Sequence, residues 1–166
     1  MLIKFKNKWL GCIDLVFDRL KIKSKMKSAQ DYLDSAKHDL ENSRWSPFVT
    51  NVWRATELAA LSLLLFTYQG DFSTRQDHEE TKKRFKSMCK WSNMPSKFGS
   101  HYDEIYKLYK PASYVQKIKG DFKLNKPQAQ KFIMIANEMI DYVNRTLERV
   151  DQNRKSSGEK IIGFHV

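Results

Sequence analysis

Apolar residues at helical spacing, in a chain with few turn-forming residues, constrain this sequence most. Over residues 127–150 apolar side chains recur every three or four positions, as on one face of an α-helix. They are Ala129, Phe132, Ile133, Ala136, Met139, Ile140, Val143, Leu147 and Val150. The 166 residues include six Gly and four Pro, too few for the many turns of a sandwich or barrel. The pattern predicts an all-α, up-down bundle of four or five helices.

The same spacing predicts helices over residues 28–42, 47–68, 76–91 and 100–116, with Ser28 as the first N-cap and Pro111 kinking or ending the last. The helix over 47–68 is apolar around most of its circumference, as in a central helix. A further amphipathic basic helix is predicted over 2–22. We expect three parts, which are a basic N-terminal helix and hinge over 1–27, a bundle over 28–150 and a polar tail over 151–166.

The positive charge of the chain lies in three blocks. The formal net charge is +11, and residues 1–27 hold eight Lys or Arg against two Asp. Residues 82–97 contain no acid, and residues 107–131 hold seven Lys against Asp121. Such blocks favour an anionic partner, which would be RNA or another nucleic acid, an acidic protein, or a membrane surface. A lysine-rich solvated surface explains them equally well.

Nothing in the sequence indicates export or membrane insertion. No run of about 18 apolar residues occurs, and Asp14 interrupts the apolar stretch that follows the basic N-terminus. Cys12 and Cys89 form neither a disulfide pattern nor a zinc motif, which favours reduced packing thiols. We therefore expect a cytoplasmic protein.

Motifs for metal, phosphate-loop or nucleophile chemistry are missing from the chain. The four histidines occur in neither HExxH nor ExxH spacing, and GxxxxGK and GxSxG are absent. We expect no metal and no cofactor.

Several polar residues have both a structural and a functional interpretation. Arg54 and Glu57 on the apolar helix form either an ion pair with each other or the lining of a groove or dimer seam. His78 is either a surface or capping residue or a titratable group at a cleft. A third set is either half-buried packing or a surface for single-stranded nucleic acid, because tyrosines alternate with lysines in it. It comprises Tyr102, Tyr106, Tyr109 and Tyr114 with Lys107, Lys110 and Lys117.

Several weak motifs occur in the order found in one family. They are A-x-x-D-L at residues 36–40, A-x-E-x-A at 55–59 running into Leu63-Leu64, His78 with an aromatic residue at Phe85, and a leucine-tyrosine segment at 108–114. A long amphipathic helix follows at 127–150. In this order and spacing the stretch from about 28 to 148 resembles the HEPN domain, particularly its small stand-alone prokaryotic members.

The resemblance also carries expectations about activity. Ribonuclease members of the family resemble one another in an R-x(4–6)-H motif at a dimer cleft, and this sequence has no Arg followed by His at that spacing. Lys110 replaces the arginine of the R-x-A-D-Y segment, and Ser113 replaces its acid. The resemblance therefore implies a non-catalytic homodimer. It also implies a nucleotidyltransferase-type partner in a toxin–antitoxin or defence setting.

Three hypotheses result. The first is a non-catalytic, dimeric module that binds RNA, a nucleotide or an acidic protein, with candidate binding residues Arg54, Glu57, Lys82, Lys83, Arg84, Lys107, Lys110 and Tyr114. The second is a non-standard ribonuclease that uses His78 with Arg75 or Lys110. The third is a scaffold held at a membrane surface or on a partner by residues 1–27.

Overall fold

Five α-helices form the described part of the molecule. The computed structural model describes residues 19–67, 78–92, 94–114 and 124–156, apart from the side chains of 67, 110–114 and 154–156. The helices are α1 (Arg19–Glu41), α2 (Trp45–Thr67), α3 (His78–Trp91), α4 (Ser96–Tyr114) and α5 (Lys126–Ser156). The predicted all-α bundle is confirmed. The N-terminal helix predicted over 2–22 lies mostly outside these residues. The hypothesis that residues 1–27 anchor the protein therefore stays a prediction.

None of the helices in the described ranges is long and apolar enough to cross a lipid bilayer.

Helix α2 lies at the centre of the bundle and packs against each of the other four helices. Its buried apolar residues cover roughly half of its circumference, and the partly buried Leu58 and Leu65 on the other side also pack against the core. Phe48, Val52, Trp53, Ala59 and Leu64 are all completely buried. Each large side chain of this kind contributes roughly 1.5–3 kcal/mol through the apolar surface that it removes from water. Because α2 is enclosed, any polar side chain on it needs a partner from a neighbouring helix or from its own turn.

The hinge predicted after the N-terminal helix is wrong for the residues that the structure describes. Helix α1 begins at Arg19 and continues through Ser28, which is therefore not an N-cap. Ile22 and Met26 are buried in line with Ala29. This stripe at i, i+4 and i+7 holds the helix against the bundle, so that Lys21, Lys23 and Lys27 remain exposed while Lys25 is partly buried. The basic composition of 21–27 thus marks a helix face that is mostly solvated.

The predicted ends of other helices also shift. Helix α2 begins at Trp45, and α4 begins at Ser96 and continues past Pro111 to Tyr114. Gly99, interpreted from the sequence as part of a break, lies inside α4, where an added Cβ would be 3.4 Å from the Cβ of Cys89. That distance is ordinary van der Waals contact, so Gly99 lies where α3 and α4 pack closely and a methyl group would still fit.

Helix α5 starts as predicted and ends later than predicted. The Asn125 Oδ1 accepts a hydrogen bond from the Gln128 N–H at 2.9 Å, and the Gln128 Oε1 accepts one from the Asn125 N–H at 3.2 Å. This reciprocal pair is a capping box. The helix then continues to Ser156, so the first six residues of the predicted polar tail are helical. A long polar continuation is compatible with a helix whose remainder is held by packing.

Asp39, the acid of the A-x-x-D-L motif, joins α1 to α2. It is 3% exposed, and its Oδ2 accepts a hydrogen bond from Asn51 Nδ2 at 2.7 Å. The Arg44 guanidinium lies 2.6 Å from its other oxygen, and the Arg44 N–H donates to the Asp39 carbonyl at 2.8 Å. Between these residues Ser43 has a φ of 54°, a left-handed conformation that ends α1. The motif is therefore explained by packing of the α1–α2 corner.

A second buried polar contact joins α2 to α4. His101 is 1% exposed, and its Nε2 lies 3.1 Å from the Thr56 hydroxyl oxygen. Burial, together with the nearby Lys131, lowers the pKa of His101 to about 3. The imidazole is therefore neutral in the folded protein throughout the range in which histidine ordinarily titrates.

This burial makes stability depend on pH. Above the ordinary histidine pKa of about 6.5 His101 is neutral in both states, and below it the unfolded chain takes up a proton that the folded chain refuses. As the pH decreases from about 6.5 to about 3, the contribution of His101 to the free energy of unfolding therefore falls by about 1 kcal/mol for each pH unit. Urea denaturation across that range should show a steeper decline for the parent than for His101→Gln. The exposed His38→Gln variant serves as control, and an identical decline for the parent and His101→Gln would contradict the assignment.

Candidate functional site

A buried carboxylate on α2 collects two half-exposed nitrogen groups. The Glu57 side chain is 8% exposed, and its Oε2 lies 3.2 Å from Nη1 of Arg54, one turn earlier on α2. Its Oε1 accepts a hydrogen bond from Nδ1 of His78, the first residue of α3. The side chains of Arg54 and His78 are 41% and 39% exposed. We call these three residues, with Lys25, the Glu57 cluster.

The hydrogen bond from His78 sets which of its ring atoms can meet a ligand. Because Nδ1 carries the hydrogen donated to Glu57, Nε2 is the nitrogen left for contact with a bound group. Glu57 likewise holds Arg54 through one guanidinium nitrogen only, and a guanidinium has five N–H donors. The carboxylate thus orients the Arg54 N–H donors and the His78 ring toward the surface while it remains buried itself.

Helix α1 adds a further cation. Burial lowers the pKa of Lys25, the neighbouring Lys21 lowers it further, and Glu57 opposes the change. The Lys25 ammonium is therefore within electrostatic range of the Glu57 carboxylate and of a second lysine. Nothing in the sequence spacing indicated this, because Lys25 and Glu57 are on different helices and come within that range only when α1 packs on α2.

Aromatic rings form one wall of the cluster. Trp53 is stacked on Tyr109, with ring centroids 5.2 Å apart and planes at 19°. The His78 ring meets Trp53 edge-on at 5.8 Å and Tyr109 edge-on at 6.1 Å. Such aromatic pairs add roughly 0.5–1.5 kcal/mol beyond their buried area. The imidazole is thereby held between a carboxylate and two rings.

Two polar atoms of this wall are buried without a hydrogen-bond partner among the described residues. They are Nε1 of Trp53 and the hydroxyl of Tyr102, both in completely buried side chains. Burial raises the pKa of Tyr102, and Glu57 adds to the increase, so the hydroxyl stays protonated. Buried donors without partners are uncommon, and they occur here beside the one acidic residue in the α2 interior.

The described tyrosines of α4 are packing residues, as one of the two interpretations of the sequence predicts. Tyr102 is completely buried and Tyr106 is 4% exposed, with its hydroxyl donating to Glu79 Oε1 at 3.0 Å. Tyr109 is partly buried against Trp53. These three rings therefore do not form an open stacking surface. The side chain of Tyr114 lies outside the described residues.

The other predicted binding residues are divided between surface ion pairs and undescribed positions. Lys82 and Lys107 both pair with Asp103, and Arg84 pairs with Glu80 at 2.6 Å. Lys83 is exposed on α3. Arg75 and the side chain of Lys110 lie outside the described residues, so the pairing of His78 with either one remains a prediction.

Metal and thiol chemistry receive no support. Among the described residues no group of three or more His, Cys, Asp or Glu could hold a metal ion. Cys89 is buried, and burial raises the pKa of its thiol to about 11, which is typical of a packing cysteine. The packing interpretation is confirmed for Cys89, and Cys12 lies outside the described part.

The fold and the site together define a class of protein. It is an all-helical bundle with a charged cluster where its second and third helices meet. The family model of the HEPN domain matches residues 22–146, about three quarters of the chain. The protein therefore belongs to the HEPN domain family. No curated protein and no solved structure matches the chain.

The sequence spacing allowed Arg54 to pair with Glu57 and marked His78 as a separate candidate. It did not predict that His78 contacts Glu57. It also missed Lys25 and Trp53. For Trp53 a signal existed, since an indole on a buried helix must pack against something large. For Lys25 none did.

Glu57 should matter for stability as well as for orientation. In Glu57→Gln the charge that opposes Arg54 and His78 is lost, and we expect a decrease in the free energy of unfolding of about 1–3 kcal/mol. Chemical denaturation measures it, with the exposed Glu148→Gln on α5 as control. If both variants unfold like the parent, the cluster is not held by the buried carboxylate.

Proposed function

We propose that this chain is a non-catalytic, homodimeric HEPN module that binds the phosphate groups of RNA or a nucleotide through the Glu57 cluster. The observation that carries the proposal is the buried Glu57 carboxylate, which presents Arg54 and His78 at the surface, with Lys25 within electrostatic range. The cluster thus holds a guanidinium and an imidazole on one carboxylate that is itself withdrawn from solvent, and an ammonium adds positive charge to them.

Phosphate recognition suits these groups. A guanidinium forms paired hydrogen bonds with phosphate oxygens, and an ammonium contributes a point charge. Because Arg54 uses Nη1 for Glu57, its other N–H groups can be directed at a ligand. The half-exposed His78 ring can donate through Nε2 when it is protonated. Contacts of this kind are independent of base sequence.

The non-catalytic part of the proposal is supported by the missing R-x(4–6)-H motif and by the commitment of Glu57. Cleavage of a phosphodiester needs a base or acid in reach of the reacting oxygen and charge stabilisation in the transition state. Glu57 already accepts from His78 and pairs with Arg54, so it serves to position rather than to exchange protons.

The dimeric part is supported by the family, since HEPN domains often dimerise. A homodimer would bring two Glu57 clusters into one assembly and double the number of phosphate contacts. We further propose a cytoplasmic role beside a nucleotidyltransferase-type partner in a toxin–antitoxin or defence setting. An acidic protein remains the alternative to RNA as the anionic partner.

Binding can be measured by fluorescence anisotropy with labelled RNA and with a labelled nucleotide at several salt concentrations. Arg54→Ala should weaken binding about tenfold, because it removes a charge-assisted phosphate contact worth roughly 1.5–3 kcal/mol. Arg145→Ala, an exposed arginine on α5, should leave affinity unchanged. Absence of binding by the parent at low ionic strength would refute the proposal, and retention of an acidic protein instead would favour the alternative.

A non-standard ribonuclease is the second candidate, because His78 is oriented by a carboxylate in the manner of a general base. If this candidate is right, His78→Ala abolishes cleavage of a labelled RNA while retaining binding within about tenfold. His38→Ala, which alters an exposed histidine on α1, is the matched control. Absence of activity in the parent, or activity that survives His78→Ala, eliminates it.

A further inference from the structure

The outer face of α3 ends in an exposed indole that follows a row of cations. Trp91 is 80% exposed, whereas tryptophan is usually well buried. Single exposed apolar residues are ordinary, but this one lies beside positive charges. From Lys83 to the end of α3 the exposed residues are Lys83, Lys86, Ser87, Lys90 and Trp91.

The positive charges on and beside this face outnumber the acids. Asp103 of α4 lies 3.4 Å from the ammonium of Lys82, 3.6 Å from that of Lys86 and 3.0 Å from that of Lys107. Three lysines therefore share one carboxylate, although Lys82 also meets Glu79 at 3.3 Å. The open groove at this face has a volume of about 490 Å³ and is lined by Glu79, Glu80, Lys82, Lys83 and Lys86.

Lys90 connects the charges to the ring. Its ammonium lies 5.6 Å from the centroid of the Trp91 ring, within the range of a cation–π contact. Lys86 and Trp91 are separated by about 7.5 Å along the helix axis, at the rise of ~1.5 Å per residue. An anionic backbone on the lysines can therefore place an attached planar base at the indole.

We propose that the outer face of α3 from Lys83 to Trp91 binds single-stranded nucleic acid. Its phosphates lie along Lys83, Lys86 and Lys90, and one base stacks on Trp91. Positively charged grooves combined with exposed aromatic rings are how proteins hold single strands without reading sequence. In a duplex the bases are paired and stacked on one another, so no base is available to stack on the Trp91 indole.

This surface rests on the proposed function only in taking RNA as the partner. It uses none of the residues of the Glu57 cluster, and Trp91 is about 20 Å from His78 along the axis of α3, at ~1.5 Å per residue. The Trp91 contact can therefore fail while the Glu57 cluster binds phosphate, and the reverse can also occur.

The test compares binding of a short labelled oligouridylate to the full chain and its variants. Trp91→Ala should weaken binding about tenfold and Trp91→Phe should restore most of the affinity, because a phenyl ring still stacks. Met134→Ala, which removes a 53% exposed apolar side chain from α5, should change nothing. Lys86→Ala should lower the slope of log K against log salt by about 0.7, and the exposed Lys126→Ala on α5 should not.

Three results would overturn the inference. They are no binding of the oligouridylate by the parent at low salt, equal affinities for the parent and Trp91→Ala, and an equal loss by Trp91→Ala on a hairpin duplex. Measuring Arg54→Ala beside Trp91→Ala separates the two proposals. An effect of Trp91→Ala alone would leave this surface standing without the Glu57 site, and an effect of Arg54→Ala alone would do the opposite.

Discussion

The enclosure of α2 is the constraint on which the rest of the structure depends. A helix surrounded by four others has little water to solvate its polar side chains, and a buried polar group without a partner costs about 1–3 kcal/mol. Three polar residues of its middle turns have such partners, whereas the buried indole N–H of Trp53 has none among the described residues. Asn51 donates to Asp39, Thr56 contacts His101, and Glu57 meets Arg54 and His78.

These contacts differ in what they leave at the surface. The Asp39 and His101 contacts are directed inward and hold α1 and α4 in position. Glu57 is different, because both of its partners remain about two-fifths exposed. The same need for hydrogen-bond partners thus stabilises the bundle at two places and orients half-exposed polar groups at the third. That is why we propose the Glu57 cluster, rather than the A-x-x-D-L aspartate, as the ligand site.

Charged side chains outside the Glu57 cluster differ in what they contribute to stability and to the surface. Much of the lysine excess on α3 and α4 is drawn into ion pairs with Asp103, and exposed pairs of this kind contribute typically 0–1 kcal/mol each. Their larger consequence is geometric, since one carboxylate gathers three ammonium groups at a helix–helix groove. A positive block in sequence becomes a binding surface only where packing concentrates it in this way.

The sequence alone determined the helical class, the central position of α2, the i, i+3 spacing that allows Arg54 to pair with Glu57, and the family resemblance. All of these depend on local spacing, which repeats every 3.6 residues and can be read along one chain segment. Tertiary structure alone decided that His78 meets Glu57, that Lys25 comes within electrostatic range of it, that Tyr102 is buried, and that Trp91 is exposed beside Lys90. It also carried α1 through the predicted hinge, because burial of Ile22 and Met26 outweighs the basic composition around them. Such contacts join residues distant in sequence, and no period within one helix specifies them.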